Sequence, residues 1–415
     1  MKNYLVLATI SLMFFSTGVL SLENECGELA RINGASYAVS SSGGDDTALL
    51  QCVLDSAVSQ GIETIKLDRG TFRSQSLSVV GFQGVFEGTT RSDTILLIEN
   101  RFAFCADSED SVDRAVGLIT FFGGSPAVKS MTIDIDRPCD RGNMYAALRF
   151  TQESCEKRSF FGAVDRVDLD VGLKDEDVSV GVLVSGDPDC LEEGKGPLGT
   201  FKLNRSSLQG INVATATGLL GAGQVDINFN EFLDVVFGVA LFDVNQNTTI
   251  TGNTVQYYGF GVVGATTTGL APSTNRTVVH NNSFEQLAAD RTAVGVFFSN
   301  GTVRANHSAV ITGNTFDVLD NSSEETLEAA IAISDVDGAV IANNRVRGSA
   351  DLAVLVQKTG NFETAVESTS ITGNTFNQEN SFGADILLSE GVSRSVVGPQ
   401  GATTIDSGTD NFISD

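Results

Sequence analysis

Tryptophan is absent from this chain of 415 residues, and histidine occurs only twice. Sugar-binding clefts often rely on tryptophan rings, and only five tyrosines stand in their place, one of them in the apolar N-terminus. The two histidines, His280 and His307, leave little scope for imidazole chemistry, and structural or solvated roles are the simpler reading of both. Proline is scarce at six, and no Pro- or Ser-rich stretch divides the chain into separate domains. Positive charge is also scarce, with 26 basic residues against 52 acidic ones and a formal net charge of −26. That balance disfavours nucleic acid and anionic membranes as partners. It also disfavours a polyanionic substrate unless cations bridge, and its plain role is a solubilising surface. Beyond the N-terminus no apolar run is long enough to cross a bilayer.

What the chain does have is a recurring hexamer. Ile250-Thr-Gly-Asn253-Thr-Val255 returns as Ile311-Thr-Gly-Asn314-Thr-Phe316 and Ile371-Thr-Gly-Asn374-Thr-Phe376. Looser copies are Val279-His-Asn-Asn282-Ser-Phe284 and Ile341-Ala-Asn-Asn344-Arg-Val346. The copies start about 30 residues apart, the spacing of a solenoid, whereas propeller blades run about 40–50. Apolar and polar residues alternate as in a strand, and the Gly or Asn before the fixed Asn tolerates positive φ. One such coil cannot bury its own apolar side, but stacked coils can, at about 4.8 Å per step. The fixed Asn then forms a column in which each amide donates to one neighbour and accepts from another. Asn230, in Ile227-Asn-Phe-Asn230, extends this column, which is expected to comprise Asn230, Asn253, Asn282, Asn314, Asn344 and Asn374. Leu203-Asn-Arg-Ser206 continues the frame with Ser, and Val167-Asp-Leu-Asp170 and Ile133-Asp-Ile-Asp136 are its expected earliest copies. Nine to eleven coils are expected.

Residues 1–21 have the features of a secretory signal, with Lys2 before an apolar core and a mature chain beginning near Leu22. Six cysteines behind such a signal predict disulfides: Cys26, Cys52, Cys105, Cys139, Cys155 and Cys190. Their spacing does not fit a zinc site, and sequence cannot choose among fifteen pairings. The protein is expected to be secreted, extracellular or, in a bacterium, periplasmic, and a monomer by default. Seven Asn-x-Ser/Thr sequons occur, at Asn204, Asn247, Asn275, Asn281, Asn300, Asn306 and Asn321. Asn281 is expected to be hindered by the ladder beside it.

Residues 44–72 resemble the opening of a known family. Gly44-Asp45-Asp46-Thr47-Ala48-Leu49-Leu50-Gln51 is followed by Gly61-Ile62 and Ile65-Lys66-Leu67-Asp68-Arg69-Gly70-Thr71-Phe72. This is similar to the opening segment of the pectin-lyase-like superfamily, and the hexamers resemble its coils. The resemblance covers most of the mature chain and implies an all-β, right-handed parallel β-helix solenoid with a short N-terminal capping helix. Locally, Asp46 or Thr47 suits the helix N-cap, Gly61 its end, and Leu49, Leu50, Val53, Leu54 and Ala57 form an apolar stripe. One domain is expected over 22–415: a cap region 22–61, irregular disulfide-stapled coils 62–200, regular Asn-ladder coils 201–395 and a C-terminal end 396–415.

The best place for chemistry is acidic. Asp134 and Asp136 alternate along one strand, as do Asp168 and Asp170, and the frame stacks 134 beside 168 and 136 beside 170. Such a cluster would bind a hard cation such as Ca²⁺ or hold a proton. Arg137 and Arg141 follow at once. The resemblance implies polysaccharide lyase chemistry there, with Asp134, Asp136, Asp168 and Asp170 as Ca²⁺ ligands. Arg137 or Arg141 would be the base, and Asp136 and Asp170 would lie at the catalytic centre. The family's lyase pattern places Pro two residues after the first Arg, whereas Pro138 follows Arg137 directly. Two suitably spaced carboxylates also permit glycoside hydrolysis, but the motifs of the polygalacturonase branch are missing. The plain alternative makes these acids solvated faces and turn caps with the arginines as ion-pair partners. Asp335-Val-Asp337-Gly338 reads as a turn, and Tyr257-Tyr258 as either a sugar platform or packing. The expected function is action on, or binding of, an extracellular polysaccharide. A non-catalytic surface, matrix or adhesion scaffold is the competing expectation.

Overall fold

The structure is a computed structural model that describes residues 25–99, 116–136, 144–171, 178–187, 190, 195–196, 198–217, 223–242, 247–266, 275–286, 294–300, 307–318, 329–359, 366–379 and 383–414. Alternating apolar residues form short strands that coil into a continuous parallel sheet, with an antiparallel hairpin, Ala30–Asn33 with Ser36–Val39, at its start. The architecture is the expected right-handed parallel β-helix. One inward column shows its length. It runs from Tyr37 through Ile65, Phe86, Val128, Val164, Leu203, Ile227, Ile250, Val279, Ile311, Ile341 and Ile371 to Val397 and Ile413. These fourteen levels exceed the nine to eleven coils read from the motif.

Each coil has three faces. The first precedes the Asn turn, as in Asn247–Thr251, and the second follows it, as in Thr254–Gln256. The third carries the longest apolar runs, as in Ala329–Ser334, whose residues are all buried. There the outward column Leu183–Ala216–Ala240–Val263–Phe297 is apolar as well, and it forms part of clusters separate from the main core. Strands apolar on both sides belong in sheets covered on both sides. Inside the coil, phenylalanines stack across levels, with Phe284 and Phe316 rings 4.9 Å apart and nearly parallel.

The asparagine ladder joins the first two faces. Asn230, Asn253, Asn282, Asn314 and Asn344 each donate a side-chain N–H to the Oδ1 of the next Asn at 2.9–3.0 Å. That Oδ1 also accepts the backbone N–H of the same donor residue. The remaining amide proton goes back one level, as from Asn314 Nδ2 to the Val279 carbonyl at 2.9 Å. Each of these buried amides is therefore satisfied. Gln400 terminates the column by accepting from Asn374 Nδ2 at 3.0 Å. Ser206 begins it, donating its backbone N–H to Asn230 Oδ1 at 3.0 Å.

The frame differs at the N-terminal end. Leu203 pairs with Val164, not Val167, so Val167 occupies the turn position and Met131 lies beside it. Both are buried apolar residues. The ladder gives way there to hydrophobic packing, which erases the Asn signal that set the register.

A helix, Thr47–Gln60, lies against the first coils and buries Leu50, Val53, Leu54 and Ala57. Gly61 ends it in the left-handed region at φ 66°, and Ile62 N–H closes on the Ala57 carbonyl at 2.8 Å. Asp46 holds the N-cap position but does not cap. Its carboxylate accepts Ser42 N–H at 2.8 Å and Arg73 N–H at 3.3 Å, tying the preceding loop to the first coil. Asp45 accepts the Thr47 N–H instead, at 2.9 Å. Cys26–Cys52 fastens the N-terminal segment to this helix, and Cys155–Cys190 joins the segments that lead from the third face to the first on successive coils. Cys105 and Cys139 lie outside the described residues.

Candidate functional site: an acidic outer face

The strand Ala127–Asp136 turns at Ser130, which has positive φ, and then runs along the second face with Thr132 and Asp134 on its outward register. Strand Ser159–Asp170 turns at Arg166 in the same way, placing Asp168 and Asp170 outward. The register pairs Asp134 with Asp170 and Thr132 with Asp168. This corrects the expected stacking by two residues: the level of Leu203 falls on Val164 and Val128, three residues before Val167 but five before Ile133. Asp136 lies opposite Glu99. The face thus carries carboxylates on three successive strands, Thr94–Glu99, Ala127–Asp136 and Ser159–Asp170.

Several of these groups are engaged by neighbours. Arg91 donates from Nη1 to Asp168 Oδ1 at 2.7 Å, while its own carbonyl accepts Thr132 Oγ1–H at 2.6 Å. Gln209 donates to Asp170 Oδ2 at 2.5 Å. Arg73 is paired with Glu99. Asp134 is exposed and adjoins Asp170 on the neighbouring coil. Calcium takes six to eight oxygen ligands. Among the described residues no group of three or more His, Cys, Asp or Glu is arranged to hold a metal. Asp168 is drawn onto Arg91 and Asp170 onto Gln209. Arg137 and Arg141 lie outside the described residues, as does the side chain of Asp136.

Other residues singled out from sequence have structural places. Tyr258 is fully buried with its ring edge-on to Phe284, so it is core and not a sugar platform. Burial, and then the nearby Asp317 charge, push its phenol pKa up. His280 lies with Nδ1 3.0 Å from the Thr312 carbonyl. Asp335 is buried and accepts Thr359 N–H, and Asp337 accepts Glu367 N–H at 2.8 Å, which makes this segment a turn. Among the sequons, Asn300 is buried and donates to the Asp335 carbonyl at 2.7 Å. Asn247 is exposed, and so is Asn281, contrary to expectation. Its side chain leans over Gly313. His307 lies in a described strand, and its side chain is outside the described set, like that of Tyr257.

Sequence reasoning missed Arg91, which is 77 residues from Asp168. It also missed Glu99 and Gln209. Their outward places follow only from the register, and no motif marks them.

No protein-family model and no curated protein matches the sequence. Solved structures do match in shape. The Dettilon tailspike protein superposes with a TM-score of 0.58 at 12% identity, over 89% of this chain and 68% of that one. Tailspike protein 3 of bacteriophage CBA120 gives 0.52 at 11% identity, over 90% and 59%. A double mutant of the tailspike protein of E. coli bacteriophage HK620 gives 0.52 at 14% identity, over 90% and 63%. The chain spans between 59% and 68% of the length of these proteins. What they share with it is the right-handed parallel β-helix fold.

Proposed function

We propose that this is a secreted, extracellular β-helix protein that binds or acts on an extracellular polysaccharide. The observation that carries the reading is the outer face on which Asp134 and Asp170 adjoin on successive coils beside the Arg91–Asp168 pair. Carboxylates and a guanidinium at coil spacing offer acceptors and donors to the hydroxyls of an extended chain. A face that repeats every ~4.8 Å suits a polymer better than a compact ligand. Disulfides in the described chain, Cys26–Cys52 and Cys155–Cys190, fit an oxidising compartment.

A lyase is the finer form of this reading. It would need Ca²⁺ gathered by Asp134, Asp136, Asp168 and Asp170 and a base at Arg137 or Arg141. The non-catalytic scaffold has its own support, because Arg91, Arg73 and Gln209 already engage acids of this face. Purified mature protein is to be incubated with a panel of uronate and neutral polysaccharides, with Ca²⁺ and with chelator. Cleavage is read by the ultraviolet absorbance of unsaturated sugars, and retention by co-sedimentation with the polymer. Retention of at least one polymer is expected. Ca²⁺-dependent cleavage lost in Asp134→Ala and Arg137→Ala would establish the lyase, and retention without cleavage the scaffold. Neither retention nor cleavage of any polymer would contradict the reading.

A further inference from the structure

We propose that the outer side of the first face, across strands Ser159–Asp170, Leu198–Asn204 and Gln224–Asn228, is a binding surface for an acidic oligosaccharide. The rings of Phe161 and Phe229 mark its two ends, and Lys202 and Arg205 supply its cationic contacts. The inference rests on the polysaccharide reading above and assigns it a site, distinct from the acidic second face.

Phe229 is the first reason. The residue before the ladder position adopts positive φ on each of these coils: Ser130, Arg166 and Arg205 fill that place before Phe229, and Gly252, Asn281, Gly313, Asn343 and Gly373 after it. Gly and Asn tolerate this backbone, whereas a bulky side chain there is strained. Phe229 adopts φ 58° and is 66% exposed, so it gains little burial in return. Its ring lies across Gly252, where an added Cβ would come within 2.8 Å of it. Local strain without packing gain is the signature of a group held for contact with something else.

The second reason is the company this ring keeps. Phe161 is 37% exposed on the outward side two coils away. Lys202 Nζ lies 5.9 Å from the centre of the Phe161 ring, and no carboxylate lies within ion-pair distance of it among the described residues. Arg205 grips Asp165 with Nε at 2.9 Å and Nη2 at 2.8 Å, yet its side chain remains 60% exposed. Asn204 and Asn228 sit between the two ends, with their amides 3.4 Å apart.

Charge is the third reason. The register brings Lys129 and Lys202 together with Asp165, Asp226 and Glu87, and Arg166 and Arg205 stand at the turns that end these strands. In a chain with twice as many acids as bases, that local positive excess selects for anions and repels few of them. Two coil steps and five residues along the chain separate the ring positions by roughly 15–20 Å, the length of a short oligosaccharide. Rings of this kind stack on the C–H faces of pyranoses, amides reach hydroxyls, and the cations take carboxylate or sulfate groups.

The test is calorimetric titration of the mature protein with uronate, sulfated and neutral oligosaccharides of equal length. The variants are Lys202→Glu, Lys202→Gln, Phe229→Ala and Phe229→Asn, each checked for fold by circular dichroism. The Asn variant carries the residue that other coils use at this place. The expected result is binding of acidic glycans that weakens with added salt and falls tenfold or more in the variants at both positions. Comparison of the uronate and sulfated arms identifies the anionic group. Unchanged acidic-glycan binding in the variants overturns this site while leaving the polysaccharide reading intact. Neutral glycans binding as tightly as acidic ones overturns the proposed selectivity. Binding of no glycan by the unaltered protein overturns the site and the reading together.

Discussion

At the scale of single residues, the ladder asparagines do what no other side chain could. Asn314 Oδ1 accepts from both the backbone and the side chain of Asn282, at 2.9 and 3.0 Å. Asn314→Ala strips both buried donors of their acceptor and frees the Val279 carbonyl. A loss of about 2–4 kcal/mol is expected, read from the midpoint of urea unfolding, and a loss near zero would mean the column is not structural. The turn position argues in the opposite sense for two coils. Gly313 has φ 68°, and a Cβ there would meet Asn281 Oδ1 at 2.5 Å, so Gly313→Ala is expected to destabilise by about 1–2 kcal/mol. Phe229→Asn, by contrast, is expected to raise stability by about 0.5–1 kcal/mol by relieving strain. Gained stability with lost glycan binding separates a contact residue from a packing one. At the helix start, the Thr47 hydroxyl and then its N–H lower the pKa of Asp45 below 3.8. A depressed carboxylate pKa stabilises the fold above the unfolded value and loses that contribution as pH falls through the folded one. Asp45→Asn is expected to flatten the acid limb of the stability–pH curve and leave neutral pH comparatively unaffected in slope.

Elements carried very different amounts of information in the sequence. The regular coils were legible because each repeats an Asn with a buried amide, and that requirement admits almost no substitute. The helix was legible from its apolar stripe and Gly61, although capping by Asp46 was not, since its carboxylate turns to Ser42 and Arg73. The coils before Ser206 were misregistered because Val167 and Met131 serve at the turn by packing, which many apolar residues can do. That slip displaced the acidic pairs by two positions, and the Arg91–Asp168 bond could not be anticipated from residues so distant in sequence. The disulfide pairing was likewise invisible, because a coil brings cysteines together through register and not through spacing. Cys155 and Cys190 join positions 35 residues apart. Replacing both by Ser is expected to cost about 2–4 kcal/mol, measured by thermal or denaturant unfolding with and without reductant. Equal stability of the variant and the oxidised parent would show that the bridge adds nothing to this irregular region.

As a whole molecule, the protein is a long column whose inside is determined by repetition and whose outside is free to differ from face to face. The third face is apolar outward as well as inward, the second is acidic over its early coils, and the first gathers cations between two exposed rings. Net charge concealed this division, since −26 describes the sum and not the arrangement. A polyanionic ligand, disfavoured by composition, becomes reasonable once the cations are seen to share one face. The most direct test of the account is co-sedimentation of the protein with uronate, sulfated and neutral polysaccharides across a range of salt. The account predicts that acidic polymers retain the protein and release it as salt rises. Failure to retain it on any polymer, at any salt, would contradict the account.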